Sequence, residues 1–381
     1  MLVRPRRWLA MLLAFALVLV TAGYASSALN TDATATPHEE LQQLLDRWRQ
    51  RADVPAMTLA VDGPGRSRLV IASGTEERGG GAAVTTDAQF RVASTTKLFV
   101  ATVVLQLVEE GRLRLDAPVS AYVSGFRHAH GVTIRQLLNH TSGIPDYTRT
   151  DHFHEGLLEH RDRKWSTEKL LALVADIRRD FAPGTDYLYS NTGYLLLGRV
   201  IDTVTGSTWA AEVRRRIFDP LRLQHTYIAG TESVPGSVLP GYIDVDMDGD
   251  VENVETGGPW PALETAEGPA GAVVSTAADL ATFAGALFRG RLVSPSTLEQ
   301  MVADGPHHPR NSNYGLGVEI SRPDYRLTIW GHGGFTIGFK SALWYVPTQD
   351  LVVVVLANDA RANTSDLAEL VVRTGAAEHD A

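Results

Sequence analysis

The sequence predicts an α+β fold in which one sheet draws strands from both ends of the chain around a mainly helical insertion. Three observations predict it. Strand-like runs gather before residue 95 and after residue 325. The stretch between about 112 and 270 shows helical periodicity interrupted by loops. The run Leu-Val-Val-Val-Val-Leu-Ala within 351–358 is apolar at every position, as a central strand covered on both faces requires. The sheet part thus takes residues 37–111 and 271–375, and the insertion takes 112–270.

In chain order, residues 1–28 read as an export signal. Arg4, Arg6 and Arg7 precede an apolar run from Trp8 to Ala22, and small residues follow at Gly23, Ala25, Ser26 and Ala28. That run is shorter than the roughly 20 residues of a spanning helix, so the mature form is expected outside the cytoplasm without a stable membrane span, an uncleaved anchor being the lesser reading. Residues 29–36 form a short flexible lead-in. Thr36-Pro37-His38-Glu39 combines a cap, a first-turn proline and a capping-box glutamate, opening a helix to about Arg51. Strands at 56–62 and 68–73 flank Gly63-Pro64-Gly65, and a short strand at 89–92 runs into a helix at 94–110. The insertion carries helices at 133–140, 168–178, 193–204 and 209–218. Thr276 then caps a helix to about Arg289, Ser294-Pro295 opens another, strands follow at 326–330, 339–346 and 351–358, and a helix at 367–372 closes the chain.

Composition narrows the function. A net charge of -9 over 381 residues argues against a nucleic-acid binder, which concentrates positive charge on a face. The absence of cysteine rules out disulfides, a thiol nucleophile and thiolate metal sites. Only four lysines stand against 31 arginines, and Lys97 follows Ser94 by one helical turn. A guanidinium keeps its proton, whereas a desolvated ammonium can lose it and become a base for a serine hydroxyl. At i and i+3 the two β-carbons lie about 5 to 6 Å apart, and the helix start favours negative charge on the serine oxygen. Spacing alone is weak, because Ser166-Thr-Glu-Lys169 shares it within a charged, exposed segment. There is no Gly-x-Ser-x-Gly elbow and no His-Glu-x-x-His pair.

Ser94-Thr-Thr-Lys97, Tyr189-Ser-Asn191 and His332-Gly333-Gly334 resemble, in order and separation, the three motifs of the serine beta-lactamase and D-alanyl-D-alanine peptidase superfamily. They are most similar to the branch of class C lactamases, secreted D,D-carboxypeptidases and related esterases. The segments from His140 to Tyr147 and from Gly271 to Leu280 resemble that branch's structural signatures. The resemblance implies a beta-lactamase/transpeptidase-like α+β fold, an antiparallel sheet flanked by helices with an inserted mainly helical domain. It implies Ser94 as the acylated nucleophile, Lys97 as proton acceptor, Tyr189 as companion base and acid, and Asn191 as the group orienting Lys97 and substrate. The amides of Ser94 and Phe335 would form the oxyanion hole. His332 would support and orient the substrate, which would lie along Gly333, Gly334 and Thr336. The expected activity is that of an exported serine acyl hydrolase resembling a D-alanyl-D-alanine carboxypeptidase, with a short peptide such as a peptidoglycan stem as substrate. An esterase or small-peptide hydrolase, a beta-lactamase, and a non-catalytic penicillin-recognition sensor remain alternatives.

The third motif departs from the Lys-Thr-Gly or His-Thr-Gly of that branch. Gly333 removes a hydroxyl that would hold a substrate carboxylate, a hydrogen bond worth about 1.5 to 3 kcal/mol when one partner is charged. No cofactor is required. Asp244, Asp246, Asp248, Asp250, Glu252 and Glu255, with Gly249, nevertheless fit the spacing of a structural calcium loop, against the simpler reading of an acidic turn.

Overall fold

The computed structural model describes residues 36–373, apart from 66, 233–235, 237, 245–247, 255, 257–259, 304, 306, 309–311, 325 and 326. The expected export signal lies outside the described residues, and no helix within them is long and apolar enough to cross a membrane.

The main sheet has nine strands: β1 (Ala56–Asp62), β2 (Leu69–Glu77), β3 (Gly80–Ala83), β4 (His307–His308), β5 (Ser312–Tyr314), β6 (Glu319–Asp324), β7 (Leu327–Thr336), β8 (Phe339–Val346) and β9 (Leu351–Ala357). Their order is β3-β2-β1-β9-β8-β7-β6-β5-β4, antiparallel throughout. The first strand therefore pairs with the last, Leu59 opposite Val355, and both chain ends build one sheet. All seven residues of β9 are buried. Val352, Val354 and Leu356 face one core and Val353 and Val355 the other, which explains why no polar residue interrupts the run.

Helices cover both faces. On one side α1 (Pro37–Arg51) and a C-terminal helix, Thr364–Arg373, pack Leu41, Leu45, Leu367 and Val371 against Val353 and Val355. The predicted capping box of α1 is present, with Thr36 and Glu39 each bonded to the other's backbone. On the other side lie α2 (Thr96–Glu109) and Ala277–Phe288, joined by stacked Phe99 and Phe283 rings 3.7 Å apart. Eleven of the fourteen α2 residues are buried, so this helix is central rather than amphipathic, and Lys97 is buried with it. The 112–270 stretch wraps α2 with α3 (Asn191–Thr205) and shorter helices.

Several expectations need correction. The strand expected at 89–92 is only Phe90–Arg91 and joins a separate three-stranded sheet with Tyr227–Ile228 and Val273–Ser275. The helix expected over 168–178 stops at Thr167–Ala172, beyond which the amides of Leu173, Val174, Ala175 and Ile177 bond three residues back, a tighter turn pattern. The segment 209–218 begins as helix but widens to a π turn over Arg214–Phe218. Strands β4, β5 and β6 were not foreseen: they are short and interrupted by polar residues.

Candidate active site

The Ser94 turn is built by packing between distant segments. Phe90–Arg91 passes through Val92 into a 3-10 turn, Ala93–Thr95, that opens α2. Ala93 has φ 48°, a left-handed conformation costing an L-residue roughly 1 to 2 kcal/mol. The sheet holds it there: Ser341 Oγ donates to Val92 O at 2.8 Å, Thr95 Oγ1 lies 2.9 Å from Ser341 Oγ, and Thr95 Oγ1 donates to His332 O at 3.3 Å. Gly334 lets the strand approach, because a Cβ there would sit 2.2 Å from Val92 O. The Ser94 turn is thus docked on β7 and β8 at the glycine-rich segment.

Lys97 Nζ lies 3.0 Å from Ser94 Oγ, 2.8 Å from Asn191 Oδ1 and 2.7 Å from Ala270 O. Burial is the main force on its charge and lowers its pKa to about 7, against the attraction of Asp146, Glu267 and Glu319. A neutral amine has two N–H bonds, and Asn191 and Ala270 accept both. Its lone pair then faces Ser94 Oγ, the geometry of a base. Asn191 cannot turn over, because its Nδ2 donates to buried Asp146 Oδ2 at 3.0 Å, and Asp146 Oδ1 accepts the Thr148 amide at 3.1 Å. Asp146 is therefore a positioning residue; it sits in the His140–Tyr147 signature but carried no spacing cue of its own.

Tyr189 Oη donates to Ser94 Oγ at 3.0 Å. Burial holds its phenol well above its ordinary pKa, so the resting tyrosine is a proton donor rather than a phenolate. Its ring lies 4.1 Å from that of His140, whose Nδ1 accepts the Ser190 amide at 3.2 Å. Lys97 Nζ sits 4.9 Å from the Tyr189 ring centre and 5.2 Å from that of Tyr194. The hydroxyl of Ser94 is thus flanked by an acceptor and a donor.

The third motif differs from the sequence expectation. His332 is buried at 1% exposure and turned into the protein, its Nε2 2.8 Å from Tyr314 Oη and its Nδ1 3.2 Å from Glu319 Oε1 and beside Gly333 O. With two oxygen acceptors at Nδ1, the proton belongs there and Nε2 accepts from Tyr314. Burial, helped by the Lys97 charge, lowers the His332 pKa to about 3, so the ring is neutral. Glu319 also accepts the Gly333 amide, keeps 34% of its side chain open, and is raised to about 7 by burial. Gly333 is not forced by packing: a Cβ there meets only Ser365 Oγ at 3.7 Å and Ser341 O at 4.0 Å. At the far end of β7, Thr336 Oγ1 donates to Glu267 Oε1, and burial raises that carboxyl to about 7 as well. Phe335, between them, is 37% exposed. Motif reading missed Glu267 and Glu319, since a single carboxylate has no characteristic spacing.

The comparisons with known proteins give the family and the fold. The Beta-lactamase family model matches residues 41–377. The chain belongs to that family. The chain is similar to Penicillin-binding protein 4 of Amycolatopsis lactamdurans, 31% identical over 86% of this chain and 87% of the relative. Among solved structures, a D-stereospecific amidohydrolase from Streptomyces sp. superposes with a TM-score of 0.78 at 35% identity, covering 89% of this chain and 99% of that one. A D-amino acid amidase from Ochrobactrum anthropi SV3, solved with D-phenylalanine, gives 0.79 at 27% identity, covering 91% and 100%. Fold, family and serine-hydrolase class follow together.

Two other sequence features fall outside this beta-lactamase-family site. Ser166 Oγ accepts the Lys169 amide at 3.3 Å as a helix cap, and Lys169 Nζ donates to Lys164 O at 3.1 Å. The acidic segment forms a hairpin, Tyr242–Ile243 against Glu252–Asn253. Asp244 accepts the amides of Asp248 and Gly249 at 3.2 and 3.0 Å, and Asp248 that of Asp250 at 2.9 Å. Those carboxylates satisfy a turn, while Asp246 and Glu255 lie outside the described residues. Among the described residues no group of three or more histidines or carboxylates is placed to hold a metal.

Proposed function

We propose that this protein is an exported serine amidohydrolase that acylates Ser94 with small amides or short peptides of D-amino acids. One observation carries the reading: where a substrate carboxylate would require a cation, this chain has a neutral, inward-turned His332 beside the Glu319 carboxylate. Such a pair repels a terminal carboxylate and tolerates an amide or amine leaving group. The similarity to a D-stereospecific amidohydrolase and a D-amino acid amidase supports the same choice.

In this mechanism Lys97 takes the Ser94 proton as Oγ attacks the amide carbon, and the oxyanion forms against the amides of Ser94 and Phe335. The C–N bond breaks as Tyr189 passes a proton to the departing nitrogen, and Lys97 restores the proton to Tyr189. Water then releases the acyl group along the same path in reverse.

The similarity to a penicillin-binding protein favours a second reading, trimming of cell-wall peptides at terminal D-alanine. Purified protein assayed on D- and L-phenylalanine amide, a neutral ester, and a peptide ending in D-alanyl-D-alanine separates the two. We expect turnover of the D-amide above the L-amide and little of the peptide. Preferred cleavage of the peptide would overturn the amidohydrolase reading.

A further inference from the structure

The substrate carbonyl has two substituents, and the two flanks of the site differ. Tyr189, which protonates the leaving group, has its ring 6.2 Å from that of His332 and 6.1 Å from that of Tyr314. In the proposed mechanism the leaving group would then lie toward the start of the glycine segment, beside Glu319. The acyl substituent would extend the other way, past Phe335 toward Thr336 and Glu267.

Glu267 has the features of a built recognition group. It begins the turn Glu267-Gly268-Pro269-Ala270, whose Ala270 carbonyl anchors Lys97, so its position is tied to the catalytic centre. Oε1 is fixed by the Thr336 hydroxyl. Oε2 accepts no hydrogen bond from the described residues, although the side chain remains partly open. Gly271 leaves the room it occupies, since a Cβ at that position would sit 2.4 Å from Oε2. Oε2 is not among the buried atoms left without a partner, so it is open to a cation that reaches the site, and pairing there displaces no protein group. Arg91 and Lys97 act on it only across space.

We propose that Glu267 anchors the α-ammonium group of the substrate's acyl residue, so that the site selects amides of amino acids with a free amine. This deepens, and rests on, the amidohydrolase reading. Glu267 would thereby be a specificity residue whose free oxygen is completed by the substrate itself.

The test compares D-phenylalanine amide with 3-phenylpropanamide, which lacks only the amine, in wild type, Glu267→Gln and Glu267→Asp, with kcat and KM resolved across pH. Wild type should favour the amine substrate by about tenfold to a hundredfold in kcat/KM, the worth of a hydrogen bond between charged groups. Glu267→Gln should erase most of that ratio through KM, and Glu267→Asp should retain part of it. An equal fall on both substrates with a displaced pH profile would mean that Glu267 acts through Lys97, and would overturn the anchor while leaving the amidohydrolase standing. Wild-type indifference to the amine would overturn the anchor without needing any variant. Failure of wild type on both amides, with turnover of an ester or a D-alanyl peptide, would overturn the amidohydrolase reading and the anchor with it.

Discussion

Two segments of this chain have serine and lysine three residues apart, and they do opposite things. Ser94 and Lys97 meet through their side chains between the sheet and α3, the lysine buried and the serine partly open. Ser166 and Lys169 are exposed and meet only through a helix-capping bond to a backbone amide, with the lysine ammonium turned to a carbonyl. The difference lies in desolvation and in the number of fixed acceptors around the amine. Burial lowers the Lys97 pKa to about 7 although three oxygens surround its Nζ; spacing supplies proximity, and burial frees the lone pair.

Exchanging residues between the two segments tests that contrast. The largest effect is expected from Ser94→Ala, which should cut turnover by at least about 10⁴-fold and abolish labelling by a fluorophosphonate. Ser166→Ala should leave both unchanged and cost about 1 kcal/mol in a denaturant melt through loss of a cap. Labelling that survives Ser94→Ala and disappears in Ser166→Ala would reverse the comparison.

Next comes the lysine. Lys97→Met should lower kcat/KM by about 10³-fold, within the range of a lost general base, while Lys169→Met should change it by less than about twofold. The pH profile gives the sign: protonated Lys97 has no lone pair for the serine, so kcat/KM should rise with pH and level off above about 7. A flat profile between pH 5 and 9, with chemistry limiting, would remove Lys97 from the role of base.

The smallest effect concerns backbone strain. Ala93 is held at φ 48°, whereas Ser166 has an ordinary extended φ of -108°. Ala93→Gly relieves the left-handed cost but adds freedom to the unfolded chain, so stability should rise by no more than about 1 kcal/mol. A clear loss in the melt would show that the alanine methyl contributes packing that outweighs its strain.

These contrasts also separate what the sequence discloses from what it hides. The apolar run of β9, the capping box at Thr36 and the order of the three motifs were legible because each is a local pattern with a physical cause. The strands β5 and β6 were not, since Ser312–Tyr314 and Glu319–Asp324 mix polar and apolar residues without a sustained period. Ser94, Lys97, Tyr189 and Asn191 were identifiable and meet as expected. Asp146, Glu267 and Glu319 were not, because their chemistry comes from burial among segments far apart in the chain. His332 was visible, but its inward turn depended on Tyr314, which no spacing rule connects to it.

The clamp on the Ser94 turn joins parts of the chain that are synthesised far apart. Ser94 is made early, but the strands that clamp its turn, through His332 and Ser341, are made more than 200 residues later. A nascent or truncated chain ending before β8 lacks the clamp that holds the turn against its strain. The Ser94 turn is therefore encoded first and clamped last.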